Sequence, residues 1–291
     1  MLLVGAVIFA LLRGARNEPI FSQTCIATSE GTQYRLAPDQ AGNAAMITAV
    51  AVQRGLPARA ATLAIATAIQ ESQLRNIDYG DRDSLGLFQQ RPSQGWGTQE
   101  QIMDPLYSTN AFYDALVKVD GYESMEITVA AQKVQRSGFP QAYATHEQTA
   151  RAFASALTGH SPAALRCRLR MPAEAQQQQA GESGLTGHAD AVLEAAQAQH
   201  GAVSAVPSSP DGTSVVLKAG QPGANEPDAT RRAWSLAQWA VAQADNLHVV
   251  GVAVDGQVWS RQDGREAMWK PATDEDGLSD EPGSVLVTVA N

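Results

Sequence analysis

An alanine-rich run in the segment Pro57–Leu74 constrains the fold of this chain more than any other feature. Pro57 stands where a first-turn proline is favoured, and the residues from Ala60 to Ile69 are apolar almost all round at helical spacing. Such a helix must be covered on most sides by other elements. The sequence therefore predicts a buried helix that carries Glu71 at its carboxyl end.

A long irregular segment follows this helix between Asn76 and Gly97. It contains several glycines, a proline and three aspartates, and it includes the run Leu85-Gly86-Leu87-Phe88-Gln89. Uncovered loops of this length are uncommon inside compact domains and are often functional. The aspartates (Asp78, Asp81 and Asp83) are also consistent with a solvated or a cation-binding loop.

The predicted secondary structure differs between the two parts of the chain. Helical patterns dominate the first 170 or so residues, whereas residues 172–187 are polar, rich in glutamine and typical of a linker. Beyond them, helical patterns are followed by a hairpin that turns at Asp255-Gly256 and by a closing strand over Val285–Val289. We therefore predict a mainly α domain over residues 21–171 and a smaller α+β domain over residues 188–291.

The amino terminus and the two cysteines predict export. The first twelve residues are apolar and uncharged, which favours a signal peptide or membrane anchor over residues 1–20, with a buried helix as the alternative. Cys25 and Cys167 are the two cysteines of the sequence. In an oxidising compartment they would form a disulfide across a long loop, unless they are two unrelated buried thiols.

The net charge of the chain and the spacing of its cysteines and histidines argue against some classes of partner and cofactor. The formal net charge is −9 and no basic stripe offsets it, which argues against nucleic acid as the main partner. Cysteine and histidine do not occur at a spacing typical of metal sites. We expect neither a metal nor a cofactor.

Glu71 is the candidate catalytic residue. Burial and the negative end of the helix dipole both disfavour its carboxylate, and cleavage of a glycosidic bond requires an acid that stays protonated near neutral pH. One of the three aspartates would then supply a second carboxylate, although the spacing does not choose among them. The alternative is a structural role for Glu71, either as a helix-capping residue or in an ion pair with Arg75, one helical turn further along.

The segment from about Pro57 to Tyr143 resembles the lytic transglycosylases and goose-type lysozymes of the lysozyme-like superfamily. The resemblance rests on Glu-Ser after an alanine-rich helix, then Gly-Leu-x-Gln, then an Asp-Pro element that opens the next helix. These motifs are Glu71-Ser72, Gly86-Leu87-Phe88-Gln89, Asp104-Pro105 and Thr109-Asn110-Ala111.

This sequence departs from the family pattern in two places. Asp83-Ser84 stands where the family has Gly-Ala. The Tyr-Asn-x-Gly element that lines the glycan cleft is only echoed by residues 135–138, which read Gln-Arg-Ser-Gly.

The resemblance implies a helical lysozyme-like fold that cleaves β-1,4 glycosidic bonds of peptidoglycan strands, with Glu71 as general acid and base. It also implies that Ser72 and Gln89 line the site and that Gly86 lets the backbone approach the sugar. Asp83 and Ser84, at the position of the family's Gly-Ala, are further candidate substrate-binding residues. Tyr143, Trp96 and Phe139 would either stack on sugars or belong to the core. The alternative function is a non-catalytic peptidoglycan-binding or scaffolding protein with a degenerate lysozyme-like domain, which the two departures favour.

Residues from about 187 to 291 resemble, more weakly, the carboxyl-terminal domain of some secreted cell-wall hydrolases. The resemblance rests on a helix with Trp239 and a hairpin with Trp259. In that domain the last strand carries alternating histidines, whereas here it reads Val-Leu-Val-Thr-Val. We therefore expect this region to be a structural or wall-binding partner.

Overall fold

The computed structural model describes residues 21–135, 140–173, 177–220, 226–273 and 283–291. The predicted leader, residues 1–20, lies outside these ranges. The helices are α1 (Pro38–Gln53), α2 (Ala58–Ser72), α3 (Gln99–Met103), α4 (Pro105–Leu116), α5 (Ile127–Gln135), α6 (Glu147–Leu157), α7 (Gly187–His200) and α8 (Glu226–Ala242). Short 3-10 helices span Pro92–Gln94, Pro140–His146 and Arg261–Glu266.

The strands form two antiparallel sheets. They are β1 (Thr24–Ser29), β2 (Thr32–Leu36), β3 (Leu165–Arg168), β4 (Val203–Pro207), β5 (Ser214–Ala219), β6 (Val249–Val254), β7 (Gln257–Ser260), β8 (Lys270–Pro271) and β9 (Ser284–Val289). The first sheet has the order β2-β1-β3, and the second has the order β4-β5-β9-β6-β7-β8. Helices combined with antiparallel sheets agree with the predicted mixture of α and α+β structure.

Helix α2 is buried as predicted. Every residue from Ala60 to Ala68 is buried, and α1, α4, α5 and α6 all contact this helix. Small alanine side chains let these neighbours approach closely, and removing so much apolar surface from water stabilises the packing. The predicted start of α4 is also confirmed, because the Asp104 carboxylate accepts from the backbone N–H of Leu106 at 2.8 Å.

The first sheet was not predicted. Strands β1 and β2 join at a tight turn where Glu30 and Gly31 both have positive φ, 50° and 77°. Strand β3 pairs with β1 so that Cys25 and Cys167 lie directly opposite each other and form the predicted disulfide. The bond ties the beginning of the described chain to the strand that follows α6.

The second sheet confirms two predictions. Strands β6 and β7 form a hairpin whose turn residues Asp255 and Gly256 have φ of 49° and 70°, as the favoured two-residue turn requires. The predicted closing strand is β9, which lies in the interior of the sheet between β5 and β6.

Helix α8 joins the two parts of the chain through a shared core. It contacts α1, α6 and β3. The Ser235 hydroxyl donates to the Leu157 carbonyl at 2.6 Å, and the Gln243 amide donates to the Gly42 carbonyl at 3.0 Å. The Trp259 indole donates to the Cys167 carbonyl at 3.2 Å. These contacts join residues before position 172 to residues after position 187, so the two parts share an interface. The predicted domain boundary at residues 172–187 therefore stays a prediction.

In the described part of the chain, no helix combines the length and the apolar character needed to cross a bilayer.

Candidate active site

Glu71 lies on the last turn of α2 and is partly exposed. The Tyr143 hydroxyl donates to its Oε1 at 2.6 Å, and the Gln135 side chain also hydrogen-bonds to the carboxyl group. Burial raises the pKa of Glu71 above its ordinary value, although the hydrogen bonds from Tyr143 and Gln135 act in the opposite direction. The site thus holds a carboxylic acid that keeps its proton to a higher pH than a free glutamate.

Arg75 does not neutralise this acid. Its Nε lies 2.7 Å from Oδ2 of Asp39, on the first turn of α1. The predicted alternative of an ion pair between Glu71 and Arg75 is therefore wrong. Both partners of the observed pair are well exposed, so it contributes little to stability.

The turn after α2 separates Arg75 from Glu71. Gln73 and Leu74 both have left-handed backbones, with φ of 54° and 57°, so the helix cannot continue. Helix α1 secures this turn, because Gln40 donates to the Gln73 carbonyl at 2.8 Å and Asn43 donates to the Leu74 carbonyl at 2.7 Å. These two contacts fix the end of α2 that carries Glu71.

Ser72 connects the helix to the glycine-containing loop. Its hydroxyl donates to the Leu87 carbonyl at 2.7 Å, and its side chain is buried. The Gln135 amide donates to the Phe88 carbonyl at 2.7 Å. The Phe88 ring is fully buried and stacks on Phe112 with ring centroids 4.7 Å apart. The two motifs of the resemblance therefore meet in space, and Ser72 uses its hydroxyl to hold the loop.

None of the three aspartates of the loop is among the causes of the pKa shift at Glu71. Ser93 donates its hydroxyl and backbone N–H to Asp83 at 3.0 and 2.8 Å, and Arg91 donates at 2.7 Å. Ser93 first and Arg91 second hold the pKa of Asp83 well below its usual range. Asp78 and Asp81 are exposed. Burial raises the pKa of Glu71 against the opposing effect of the hydrogen bonds from Tyr143 and Gln135, and no charged residue of the described chain is among the causes of the shift.

The remaining loop residues predicted to bind substrate also have structural contacts. Ser84 is buried, and its backbone N–H donates to the Asp81 carbonyl at 3.1 Å. The Gln89 side chain donates to the Tyr79 and Gly86 carbonyls at 3.2 and 3.3 Å. A direct contact of these side chains with a sugar stays a prediction.

Gly86 is required where the loop packs against α3. It has φ of +76°, and a Cβ there would lie 2.8 Å from the Ile102 carbonyl oxygen. Gly86→Ala is expected to lower the free energy of unfolding by about 3 kcal/mol, because it combines left-handed strain with a steric clash. Urea unfolding measures this loss. Gly95→Ala is the matched control, since Gly95 has φ of +81° with open space at the Cβ position; an equal loss in both variants would contradict the clash.

The aromatic candidates have different environments. Tyr143 is fully buried, so its ring has no free face for a sugar and its hydroxyl positions Glu71 instead. Trp96 is partly buried against the core and also lines an open cavity. Phe139 and the predicted echo at residues 136–138 lie outside the described residues. Within the described ranges, groups of three or more potential metal ligands do not occur.

Sequence reasoning missed the positioning contacts of Glu71. Tyr143 and Gln135 lie 72 and 64 residues further along the chain, and no local spacing connects them to α2. The weak echo of the family element at Gln135 was the one available signal. No protein-family model matches this chain, and no curated protein matches it in a sequence search.

Proposed function

We propose that this protein cleaves the β-1,4 glycosidic bonds of peptidoglycan glycan strands, with Glu71 as general acid and base. One observation supports the proposal most directly: a carboxyl group with a raised pKa lies at the end of a buried helix, is oriented by Tyr143 and Gln135, and forms no ion pair with a described residue. The motifs that resemble the lysozyme-like superfamily lie around Glu71 and support the same function. The choice of peptidoglycan as the substrate comes from this resemblance.

The single acid supports a reaction that consumes no water. Protonated Glu71 donates its proton to the glycosidic oxygen as the C1–O bond breaks and positive charge develops on the sugar. The resulting carboxylate then accepts the proton of the C6 hydroxyl while that oxygen bonds to C1. The product is a 1,6-anhydro sugar, and Glu71 ends the cycle protonated. A second carboxylate that activates water is not required.

The protein is proposed to act outside the cytoplasm. The disulfide between Cys25 and Cys167 supports an oxidising compartment. The carboxyl-terminal α+β part is proposed to support the helical part, because α8 packs on α1 and α6. Its proposed contact with the cell wall rests on the resemblance of residues 187–291 to a domain of secreted cell-wall hydrolases.

A cleavage assay tests the proposed function. The full chain and its Glu71→Gln variant are incubated with purified peptidoglycan, and soluble fragments are analysed by mass spectrometry. We expect fragments with anhydro ends from the wild type and none from the variant. Fragments with reducing ends would overturn the water-free route. Binding to peptidoglycan without any release of fragments would identify the alternative, a non-catalytic wall-binding protein.

Tyr143→Phe is expected to separate positioning from chemistry. The variant keeps the ring but removes a hydrogen bond that lowers the pKa of Glu71, so this pKa rises further. Because the reaction starts from protonated Glu71, the high-pH limb of kcat/KM is expected to move to higher pH, while kcat falls by about tenfold. Initial rates over a range of pH measure both effects. An unmoved limb would contradict the role of Tyr143.

A further inference from the structure

A second feature near Glu71 is a cavity of about 560 Å³ between the end of α4, the end of α5 and the segment after the glycine-containing loop. The residues that matter here are Gln94, Trp96, Lys118, Lys133 and Gln135. The size is sufficient for one or two sugar-sized groups. The described lining residues combine an indole ring, two amides and two ammonium groups.

Gln135 connects this cavity to the candidate acid. Its side chain lines the cavity, hydrogen-bonds to Glu71 and donates to the Phe88 carbonyl at 2.7 Å. A molecule in the cavity would therefore lie one side chain away from the carboxyl group.

The charge of the cavity is opposite to that of the protein. The chain has four lysines and a formal net charge of −9, yet two of those lysines line this one cavity. Both are exposed, and the described lining includes no acidic side chain. Neither ammonium group forms an ion pair with a described residue. Two cations that no described carboxylate pairs with, in an acidic protein, favour an anionic ligand.

We propose that this cavity is a subsite for the carboxylates of a peptidoglycan strand, with Lys118 and Lys133 as the groups that recognise them. This inference rests on the function proposed above. The ring substituents of the glycan backbone are neutral, so the negative charges of the strand are its peptide carboxylates and, on sugars that have lost the peptide, the free lactyl carboxylates. Trp96 offers a ring surface to a sugar, and the two lysines distinguish a strand that carries carboxylates from a neutral glycan.

Binding measurements on the full chain test the subsite. The Glu71→Gln background prevents turnover, and calorimetry compares three probes: a neutral N-acetylglucosamine tetramer, peptide-bearing peptidoglycan fragments, and the same fragments after an amidase has removed the peptides. Lys118→Gln combined with Lys133→Gln is compared with Lys270→Gln. The control lysine is also exposed, pairs with Asp263 and is not among the residues that line the cavity.

We expect the double variant to bind peptide-bearing fragments about tenfold more weakly than the control, with unchanged binding of the neutral tetramer. Raising the salt concentration is expected to remove most of this difference, because exposed charges are screened. If amidase treatment abolishes the lysine dependence, the lysines bind the peptide carboxylates alone. If the dependence survives, the lysines also bind the lactyl carboxylate that the amidase releases from its amide bond.

Two results would overturn the subsite: equal affinities of the double variant and the control, or equal weakening for charged and neutral probes. The binding measurements test the subsite independently of the cleavage assay, which tests the proposed function. Cleavage by the wild type together with lysine-independent binding removes only the subsite. Lysine-dependent binding by a wild type that releases no fragments removes only the enzyme.

Discussion

Glu71→Gln is expected to lower kcat/KM for peptidoglycan cleavage by about 10²–10⁴-fold, the usual contribution of a general acid or base. Glutamine has the shape of glutamate, and its carbonyl oxygen is able to accept the hydrogen bond from Tyr143. It has no acidic proton to give to the glycosidic oxygen. Initial rates of fragment release at several pH values measure the loss, and a variant that keeps more than half of the wild-type rate would remove Glu71 from the reaction.

The stability of the same variant provides the control. Because the pKa of Glu71 is raised in the folded protein, its contribution to stability is present below the unfolded pKa and is lost as pH rises through the folded pKa. Removing the ionisable group is therefore expected to leave the melting temperature equal to or above that of the wild type at neutral pH. A large drop in melting temperature would mean that lost activity reflects unfolding.

The wild-type protein is expected to show the corresponding pH dependence. In the proposed reaction protonated Glu71 is the starting form, so the rate of fragment release is expected to fall as pH rises through the raised pKa of this group.

Removal of the disulfide is the second large effect. Replacing Cys25 and Cys167 by alanine is expected to lower the free energy of unfolding by about 3–5 kcal/mol, because the bond closes a loop over a sequence separation of 142 residues. Urea unfolding of the oxidised protein and of the double variant measures the difference.

A reducing agent supplies the matched control for this prediction. Reduction is expected to move the unfolding midpoint of the wild type close to that of the double variant and to leave the variant unchanged. An oxidised wild type with the same midpoint as the variant would contradict a stabilising role for the bond.

Strong local signals predicted the parts of the fold that are confirmed. An apolar run as long as the one in α2 admits few alternatives to a buried helix, and Asp255-Gly256 is the residue pair that a tight hairpin turn prefers. Strands β1 and β2 were missed because their sequences, Thr-Cys-Ile-Ala-Thr-Ser and Thr-Gln-Tyr-Arg-Leu, do not alternate strictly between apolar and polar residues. The Glu30-Gly31 turn between them was the available signal.

The site was predictable only where its residues are close in sequence or belong to a known motif. Glu71 and the loop at Gly86 were identified in this way. Spacing also suggested Arg75 as the partner of Glu71, but that rule assumes a continuous helix, and the left-handed residues Gln73 and Leu74 end it first. The contact with Tyr143 depends on tertiary packing, which local spacing does not encode.

The interface around α8 has a consequence for a chain that is nicked. Gln238 accepts from the Leu165 backbone N–H at 2.7 Å and donates to the Ala156 carbonyl at 2.7 Å, so it completes the hydrogen bonding of the amino-terminal part. Pulling the two parts apart would leave these polar groups unpaired on newly wetted apolar surfaces. A protease that cuts within residues 172–187 is therefore expected to yield two fragments that stay associated.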